Sequence, residues 1–447
     1  MYYNEPMETA SRKEIERIQL ERLQTTVNRM YKNVEFYRKR MQEKGIVPED
    51  IRTLSDLSLL PFMSKVDLRD NYPFGTFAVP RSEIVRLHAS SGTTGKPIVA
   101  GYTQNDLRMW AECVARGLCA AGVSREDTVQ VAYGYGLFTG GLGVHYGIER
   151  LGATVVPISA GNTKKQIMMM QDLGTTVLAC TPSYALMVGE TIRDSGDIDL
   201  DSLKLRVGIF GAEPWTEGMR RQIENLLHIK AIDIYGLTET VGPGVAMECA
   251  EECNGLHIWE DYFIPEIVDP DTGKPLPDGQ IGELVITTIG KEGMPTVRFR
   301  THDLTYIIPE PCSCGRTHRR LHRLLGRTDD MLIIRGVNVF PSQVETAITG
   351  IEGIAPRYLL VVDRVRNLDT LEVQVELLPT LVYDEVRKME ALRARVQKAI
   401  EQILGLSVSV RLMPPNSIQR SEGKSVHILD KRKLDQRKGD LCHVFLR

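Results

Sequence analysis

Residues 129–180 read VQVAYGYGLFTGGLGVHYGIERLGATVVPISAGNTKKQIMMMQDLGTTVLAC. Three short apolar runs, 129–133, 153–158 and 176–180, alternate with two segments at helical spacing, 140–149 and 164–173. Strand–helix–strand alternation of this kind predicts a parallel sheet with helices on both faces, since parallel neighbours need a crossover connection. The rhythm continues downstream, where 205–210 and 231–235 read as strands around a helix at 217–227. Upstream, Ile15, Ile18, Leu20, Leu23, Val27, Met30 and Val34 recur at helical spacing in a charged stretch, predicting helices over about 12–45. After Pro265 the texture turns to short strands and turns, such as 271–273, 277–279 and 283–288. After Gly326 it changes again, with strands at 358–363, 371–378 and 408–413 and a charged amphipathic helix at 383–403. The expected fold class is α/β. A large N-terminal domain, 1–326, has parallel-rich sheets with helices and a β-rich subdomain at about 245–326. A small, mobile α+β C-terminal domain covers 327–447.

At roughly 150 residues per domain, 447 residues suffice for large cores, so no disulfide or metal is needed merely to fold. The net charge of −3, with both signs interspersed, lacks the basic excess of a nucleic-acid-binding protein. No apolar run approaches the roughly 20 residues of a membrane span, and the opening MYYNEP shows no secretory pattern. Eight cysteines are too sparse for a disulfide scaffold. A reducing, cytoplasmic location is expected, and clustered cysteines then point to metal rather than disulfide.

The strongest local signal is Ser90-Ser91-Gly92-Thr93-Thr94-Gly95-Lys96-Pro97. Two glycines let several backbone N–H groups point at one anion. Four hydroxyls and one ammonium add donors suited to a polyphosphate. A generic Ser/Thr/Gly run would be a polar surface loop; this order is more specific. It is not the P-loop motif, because Pro97 follows Gly95-Lys96 and the glycine spacing differs. Neither do the glycines around Tyr135 and Leu142 fit the dinucleotide fingerprint.

This loop resembles that of the adenylate-forming superfamily of acyl-CoA synthetases, and further motifs follow in the expected order. Gly211-Ala212-Glu213-Pro214 is similar to the adenine-loop segment, and Tyr235-Gly236-Leu237-Thr238-Glu239-Thr240 to the aromatic-plus-glutamate motif. Arg300-Thr301-His302-Asp303-Leu304 resembles the ribose-binding segment. Gly326-Arg327-Thr328-Asp329-Asp330 resembles the interdomain hinge, and Arg420-Ser421-Glu422-Gly423-Lys424 the catalytic-lysine segment. Phe299 stands where a tyrosine is common, and His302 fills a variable slot. The stretches 135–143, 258–261 and 333–341 resemble the phenylacetate–CoA ligase family in particular, and the likeness covers essentially the whole chain.

The resemblance implies an AMP-forming ligase that uses ATP, Mg²⁺ and CoA. Its nucleotide-binding residues would be Ser90, Ser91, Gly92, Thr93, Thr94, Gly95, Lys96, Gly211, Ala212, Glu213, Asp233, Tyr235, Gly236, Thr238, Asp303 and Arg327. Lys424 and Glu239 would be catalytic, Glu239 as an oxygen ligand for Mg²⁺, and Asp329 would be the hinge. Tyr235 offers a face to adenine and Asp303 accepts from ribose hydroxyls. Standing alone, Arg327 would read as a surface ion pair. Tyr135 and Phe138 lie in a glycine-rich stretch where small neighbours leave room for an aryl ring, with plain core packing as the competing reading. The partners implied are a small aryl acid, ATP, CoA and a second copy in a homodimer. Two rival functions remain. One is AMP transfer to a non-carboxylate acceptor such as a deazaflavin cofactor, which CoA-dependent AMP release distinguishes. The other is a non-catalytic nucleotide-binding module, which pyrophosphate release distinguishes.

Two windows, Cys249/Cys253/His257 and Cys312-Ser313-Cys314 followed by His318, together offer the N and S ligands of a structural zinc site. Cys249, His257, Cys312 and Cys314 are the expected ligands, with Cys253 and His318 in reserve.

Overall fold

The computed structural model describes residues 1–90, 97–196, 198–328, 332–335, 337–365, 368–379, 386–418 and 427–431. The chain forms two compact units: Met1–Ala212 with Ile223–Leu324, and Glu213–Gln222 with Leu325–Arg447.

The first unit is organised by a nine-stranded sheet. Five strands, Thr154–Val156, Thr128–Val131, Val177–Cys180, Val207–Gly211 and Lys230–Leu237, lie side by side in parallel. All four residues of Val177–Cys180 and all five of Val207–Gly211 are buried, as helices on both faces require of a parallel sheet. Thr139–Leu151 and Thr163–Leu173 are the crossover helices expected from the alternation. The sheet then turns antiparallel through Gly242–Glu248, Leu256–Ile258, Arg320–Leu321 and Ile307–Ile308. Part of the β-rich stretch therefore extends the main sheet. The rest, Phe263–Val268, Gly282–Thr288 and Phe299–Thr305, pairs antiparallel in a second sheet.

The charged N-terminal stretch is two helices, Arg12–Asn33 and Glu35–Glu43, separated at Val34, whose backbone is extended. Ser11 caps the first by accepting from the Glu14 N–H. Its apolar stripe, Ile15, Leu23, Val27 and Met30, is fully buried. Arg12 Nη1 donates to both carboxylate oxygens of Glu260, at 2.8 and 2.9 Å, and Gln19 donates to the Glu260 carbonyl.

The glycine-rich helix Thr139–Leu151 packs closely on Gln104–Ala120. A Cβ at Gly143 would lie 2.3 Å from the Trp110 ring, and one at Gly147 would lie 2.2 Å from Val114. These two glycines give close helix–helix approach.

In the second unit Ile354–Val365 and Leu368–Leu377 pair antiparallel. Ser409–Met413 joins one side and Ile428–Asp430 the other, both parallel to their neighbours. Val344 and Ile348 of helix Pro341–Ile348, with Leu392, Val396 and Ile400 of Val386–Leu404, pack on Leu360, Val362, Val373 and Val375. Thr216 Oγ1 donates to Glu345 Oε1 at 2.9 Å, which ties the segment Glu213–Gln222 into this unit.

Candidate functional site

The parallel strands Val207–Gly211 and Lys230–Leu237 are neighbours, and their C-terminal ends carry two of the motifs. Ligands in open α/β sheets bind at this edge, where strand carboxyl ends open into loops. Just past Gly211, Ala212 adopts φ 72°, a left-handed conformation that costs a non-glycine residue energy and redirects the chain into Glu213. Asp233 is half-buried, and its backbone N–H donates to Glu248 at 2.9 Å.

Tyr235 and Asp303, 68 residues apart, meet directly. The tyrosine hydroxyl donates to Asp303 Oδ2 at 2.6 Å, and both residues are buried. The bond joins the main sheet to the second sheet through strand Phe299–Thr305. Within that strand Thr301 Oγ1 accepts from the Asp303 N–H, while its neighbour His302 has φ 66°. The Tyr235–Glu239 turn is held from a third direction, because Thr238 Oγ1 lies 3.3 Å from Thr139 Oγ1 at the start of the glycine-rich helix. Gly236 lies between these anchors, half-buried. Glu239 is only 5 % exposed, and Lys65 Nζ lies 3.7 Å from Glu239 Oε1. The carboxylate oxygens of Glu239 are the donor type that a hard divalent cation takes.

Of the phosphate loop, Ser90 is described and Ser91, Gly92, Thr93, Thr94, Gly95 and Lys96 lie outside the described residues. Ser90 closes the loop's base: its N–H donates to the Ile98 carbonyl and its Oγ accepts from the Ile98 N–H, each at 3.0 Å. Asp329 and Lys424 also lie outside the described residues. Arg327 belongs to the second unit, in the two-residue strand Gly326–Arg327.

Tyr135 is half-buried, and its hydroxyl lies 3.2 Å from His145 Nδ1; His145 Nε2 in turn lies 3.2 Å from Glu149. Burial pushes the Tyr135 hydroxyl well above the ordinary tyrosine range, so it is neutral. Phe138, at the N-cap of the same helix, is 42 % exposed, which removes it from the plain core. The strand Arg86–Ala89, which leads to the phosphate loop, is bonded to this stretch at one point. The Leu137 carbonyl accepts from the Ala89 N–H at 2.8 Å and faces His88 Nδ1 at 3.0 Å.

At the antiparallel end of the main sheet four side chains converge. Ligand atoms of Cys249, His257, Cys312 and Cys314 all lie within 4.8 Å of one another. Cys249 Sγ is 3.5 Å from Cys312 Sγ, and Cys314 Sγ is 3.3 Å from His257 Nε2. A tetrahedral zinc with bonds of about 2.3 Å separates its sulfur ligands by about 3.8 Å, so the donor set fits that ion. His257 Nδ1 lies 3.2 Å from the His318 carbonyl, a partner that accepts only, so Nε2 is left as the donor atom facing the thiols. A hydrogen bond from Cys249 holds the Cys314 thiol far below its ordinary value. The complementary bond and burial push Cys249 up. The reserves stand apart. His318 accepts from the Glu260 N–H at Nδ1 and faces the Met7 carbonyl at Nε2, while Cys253 Sγ lies 3.9 Å from the Ala250 carbonyl. The turn bearing Cys312 and Cys314 is clamped by Glu252, which accepts from the Ser313 N–H, and by Tyr2, which donates to the Cys314 carbonyl. The ion pair Glu8–Arg316, fully buried, was not legible: its partners are 308 residues apart.

The AMP-binding enzyme family model matches residues 21–291, and the AMP-binding enzyme C-terminal domain matches 336–432. The chain is 50 % identical to a phenylacetate–coenzyme A ligase of Thermus thermophilus, covering 97 % of this chain and all of that one. It is 52 % identical to the phenylacetate–coenzyme A ligase of Escherichia coli, covering 96 % and 98 %. Among solved structures, a 2-hydroxyisobutyryl-CoA ligase in the postadenylation state with 2-HIB-AMP superposes with a TM-score of 0.91. It has 28 % identity, over 99 % of this chain and 95 % of that one. The same ligase with 2-HIB-AMP and CoA in its thioesterification state gives 0.72 at 29 % identity, over 98 % and 95 %. The near-complete span of these matches places the chain in the phenylacetate–coenzyme A ligase family of AMP-binding enzymes.

Proposed function

We infer that this protein is an ATP-dependent, AMP-forming ligase that joins an arylacetic acid, phenylacetate foremost, to coenzyme A. The observation that carries the reading is the identity of about half the residues to phenylacetate–CoA ligases over nearly the full length.

A carboxylic acid is a poor electrophile, because its leaving group would be hydroxide. The substrate carboxylate attacks the α-phosphorus of ATP, the bond to the bridging oxygen breaks, and pyrophosphate leaves with its electron pair. The CoA thiolate then attacks the acyl carbon, the bond to AMP oxygen breaks, and AMP leaves. The first step brings one anion to another, so its barrier falls with cations and N–H donors around the phosphates. Ser90 to Lys96 supply donors for pyrophosphate, and Lys424 supplies a point charge between carboxylate and α-phosphate. Bound Mg²⁺ supplies charge neutralisation on the phosphates, with Glu239 as its ligand from this chain. Tyr235 packs on adenine, Asp303 and Arg327 serve ribose and phosphate, and Gly211, Ala212 and Glu213 line the base. Tyr135 and Phe138 face the aryl ring, whose burial contributes roughly 25 cal/mol per Å². Asp329, as the hinge residue, lets the small domain serve the two steps.

Zinc bound by Cys249, His257, Cys312 and Cys314 is structural, since all four positions are protein donors and none is left for substrate. Among the described residues no helix is long and apolar enough to cross a membrane, and no described cysteine is in a disulfide. Both facts support a reducing, cytoplasmic setting. A homodimer is the form we propose, checked by sedimentation.

The test is pyrophosphate release across a panel of acids, followed by CoA-dependent AMP release. Phenylacetate should exceed acetate and palmitate in kcat/KM. Equal turnover of palmitate overturns the aryl assignment, and AMP release that ignores CoA overturns the ligase reading.

A further inference from the structure

Lys291 lies in the turn between strands Gly282–Thr288 and Phe299–Thr305 and is only 2 % exposed. Burying an ammonium without a carboxylate partner costs several kcal/mol unless something compensates it. Nζ donates to the Thr240 carbonyl at 2.6 Å and sits 4.5 Å from the centre of the Tyr102 ring. Burial pulls its pKa down to about 8 against the attraction of Asp106 and Glu239.

Thr240 directly follows Glu239, and the next carbonyl, that of Val241, accepts from the Tyr102 hydroxyl at 3.0 Å. Two consecutive carbonyls are therefore gripped by a lysine and a tyrosine that also touch each other. The lysine's turn is itself fixed. Asp106, in the first turn of helix Gln104–Ala120, accepts from the Glu292 N–H at 2.6 Å and the Gly293 N–H at 2.9 Å. No larger residue than glycine fits at 293, where a Cβ would lie 2.7 Å from the Gly101 carbonyl oxygen. Asp106 also accepts from the Thr103 N–H, so one capping carboxylate anchors both the helix and the lysine's loop.

We propose that Lys291 is a positioning residue: its ammonium locks the Thr240 carbonyl so that the buried Glu239 carboxylate is presented in its cation-binding arrangement. This rests on Glu239 being the magnesium ligand. A neutral side chain at 291 leaves the Thr240 carbonyl buried and unpaired, and the Thr240–Val241 peptide, one residue past Glu239, is then free to rotate toward another donor.

The test compares Lys291→Met, Tyr102→Phe and Glu239→Gln. Lys291→Met should raise the free Mg²⁺ needed for half-maximal adenylate formation about ten-fold, the loss of one charge-assisted hydrogen bond. Thioester formation from synthetic acyl-adenylate plus CoA should stay within two-fold. Calorimetry without turnover supplies the second readout: the gain in ATP affinity on adding Mg²⁺ should shrink in Lys291→Met. Tyr102→Phe keeps the ammonium and frees only the Val241 carbonyl, so its Mg²⁺ requirement should rise two- to three-fold, and it carries the test if Lys291→Met does not fold. An unchanged Mg²⁺ response in folded Lys291→Met, or in Tyr102→Phe where only that variant folds, overturns the proposal, as does equal loss of both half-reactions. If Glu239→Gln also leaves the Mg²⁺ response untouched, the assignment of Glu239 falls instead.

Discussion

The turn around Tyr235–Thr240 and the thiol cluster at Cys249 and Cys312 lie on the same sheet, and each joins residues more than sixty positions apart. They are built in opposite ways. In the turn three residues reach three different elements: Tyr235 the second sheet, Thr238 the glycine-rich helix, and the Thr240 carbonyl the buried lysine. In the cluster the side chains are one another's partners, and a single ion would satisfy all four. The turn can therefore be loosened one bond at a time, with graded effects on catalysis. The cluster gains or loses its ion as a unit, which acts on stability.

The largest expected effect lies on the catalytic side. Lys424→Ala should slow adenylate formation by on the order of 10²–10³-fold, the size of a lost electrostatic contact to a transition state. It should spare thioester formation from synthetic acyl-adenylate. Separate half-reaction kinetics check this, and a parallel fall in both steps removes Lys424 from the role.

Next comes the cluster. Purified protein should contain about one zinc per chain. Cys312→Ser should release it and lower stability by ~4 kcal/mol, the linkage expected for a ligand held about a thousand-fold above its Kd. Elemental analysis and thermal unfolding read the result, while kcat of the surviving folded enzyme should change little. Native protein free of metal, or a variant of unchanged Tm, sinks the structural assignment.

Tyr235→Phe keeps the ring and loses the 2.6 Å bond to Asp303. Losing a bond to a carboxylate should cost ~1.5 kcal/mol, seen as roughly a ten-fold rise in KM for ATP with little change in Tm. A large Tm drop with unchanged KM would make the contact a stability device and erase the contrast between the two regions.

The smallest effect concerns Glu252. Bonds from the Ser313 N–H and hydroxyl, then Arg320, hold its carboxyl down at about 2. The folded pKa lies below the unfolded one, so its contribution is present above about pH 4.5 and fades as pH falls toward 2. In chelated protein, Glu252→Gln should be slightly less stable than the parent at pH 6, and the gap should narrow through that window. A constant gap from pH 6 to 2 contradicts the clamp.

The period of the apolar pattern was enough to determine the parallel strands and crossover helices, because 2 and 3.6 residues per repeat are local properties of backbone geometry. Motif order singled out Tyr235 and Asp303, whose side chains meet, and the two cysteine windows singled out Cys249, His257, Cys312 and Cys314, whose side chains converge. Local sequence did not show that strands 256–258 and 320–321 extend the main sheet, since pairing partners carry no signature at long separation. It did not show the purpose of Gly143, which emerges only where Trp110 crosses the helix. It was silent on Lys291 and Tyr102, ordinary residues in ordinary segments. Their meaning is a matter of burial: only the packed structure removes water from the ammonium and leaves it the Thr240 carbonyl and an aromatic face, and desolvation belongs to the whole fold rather than to any stretch of chain.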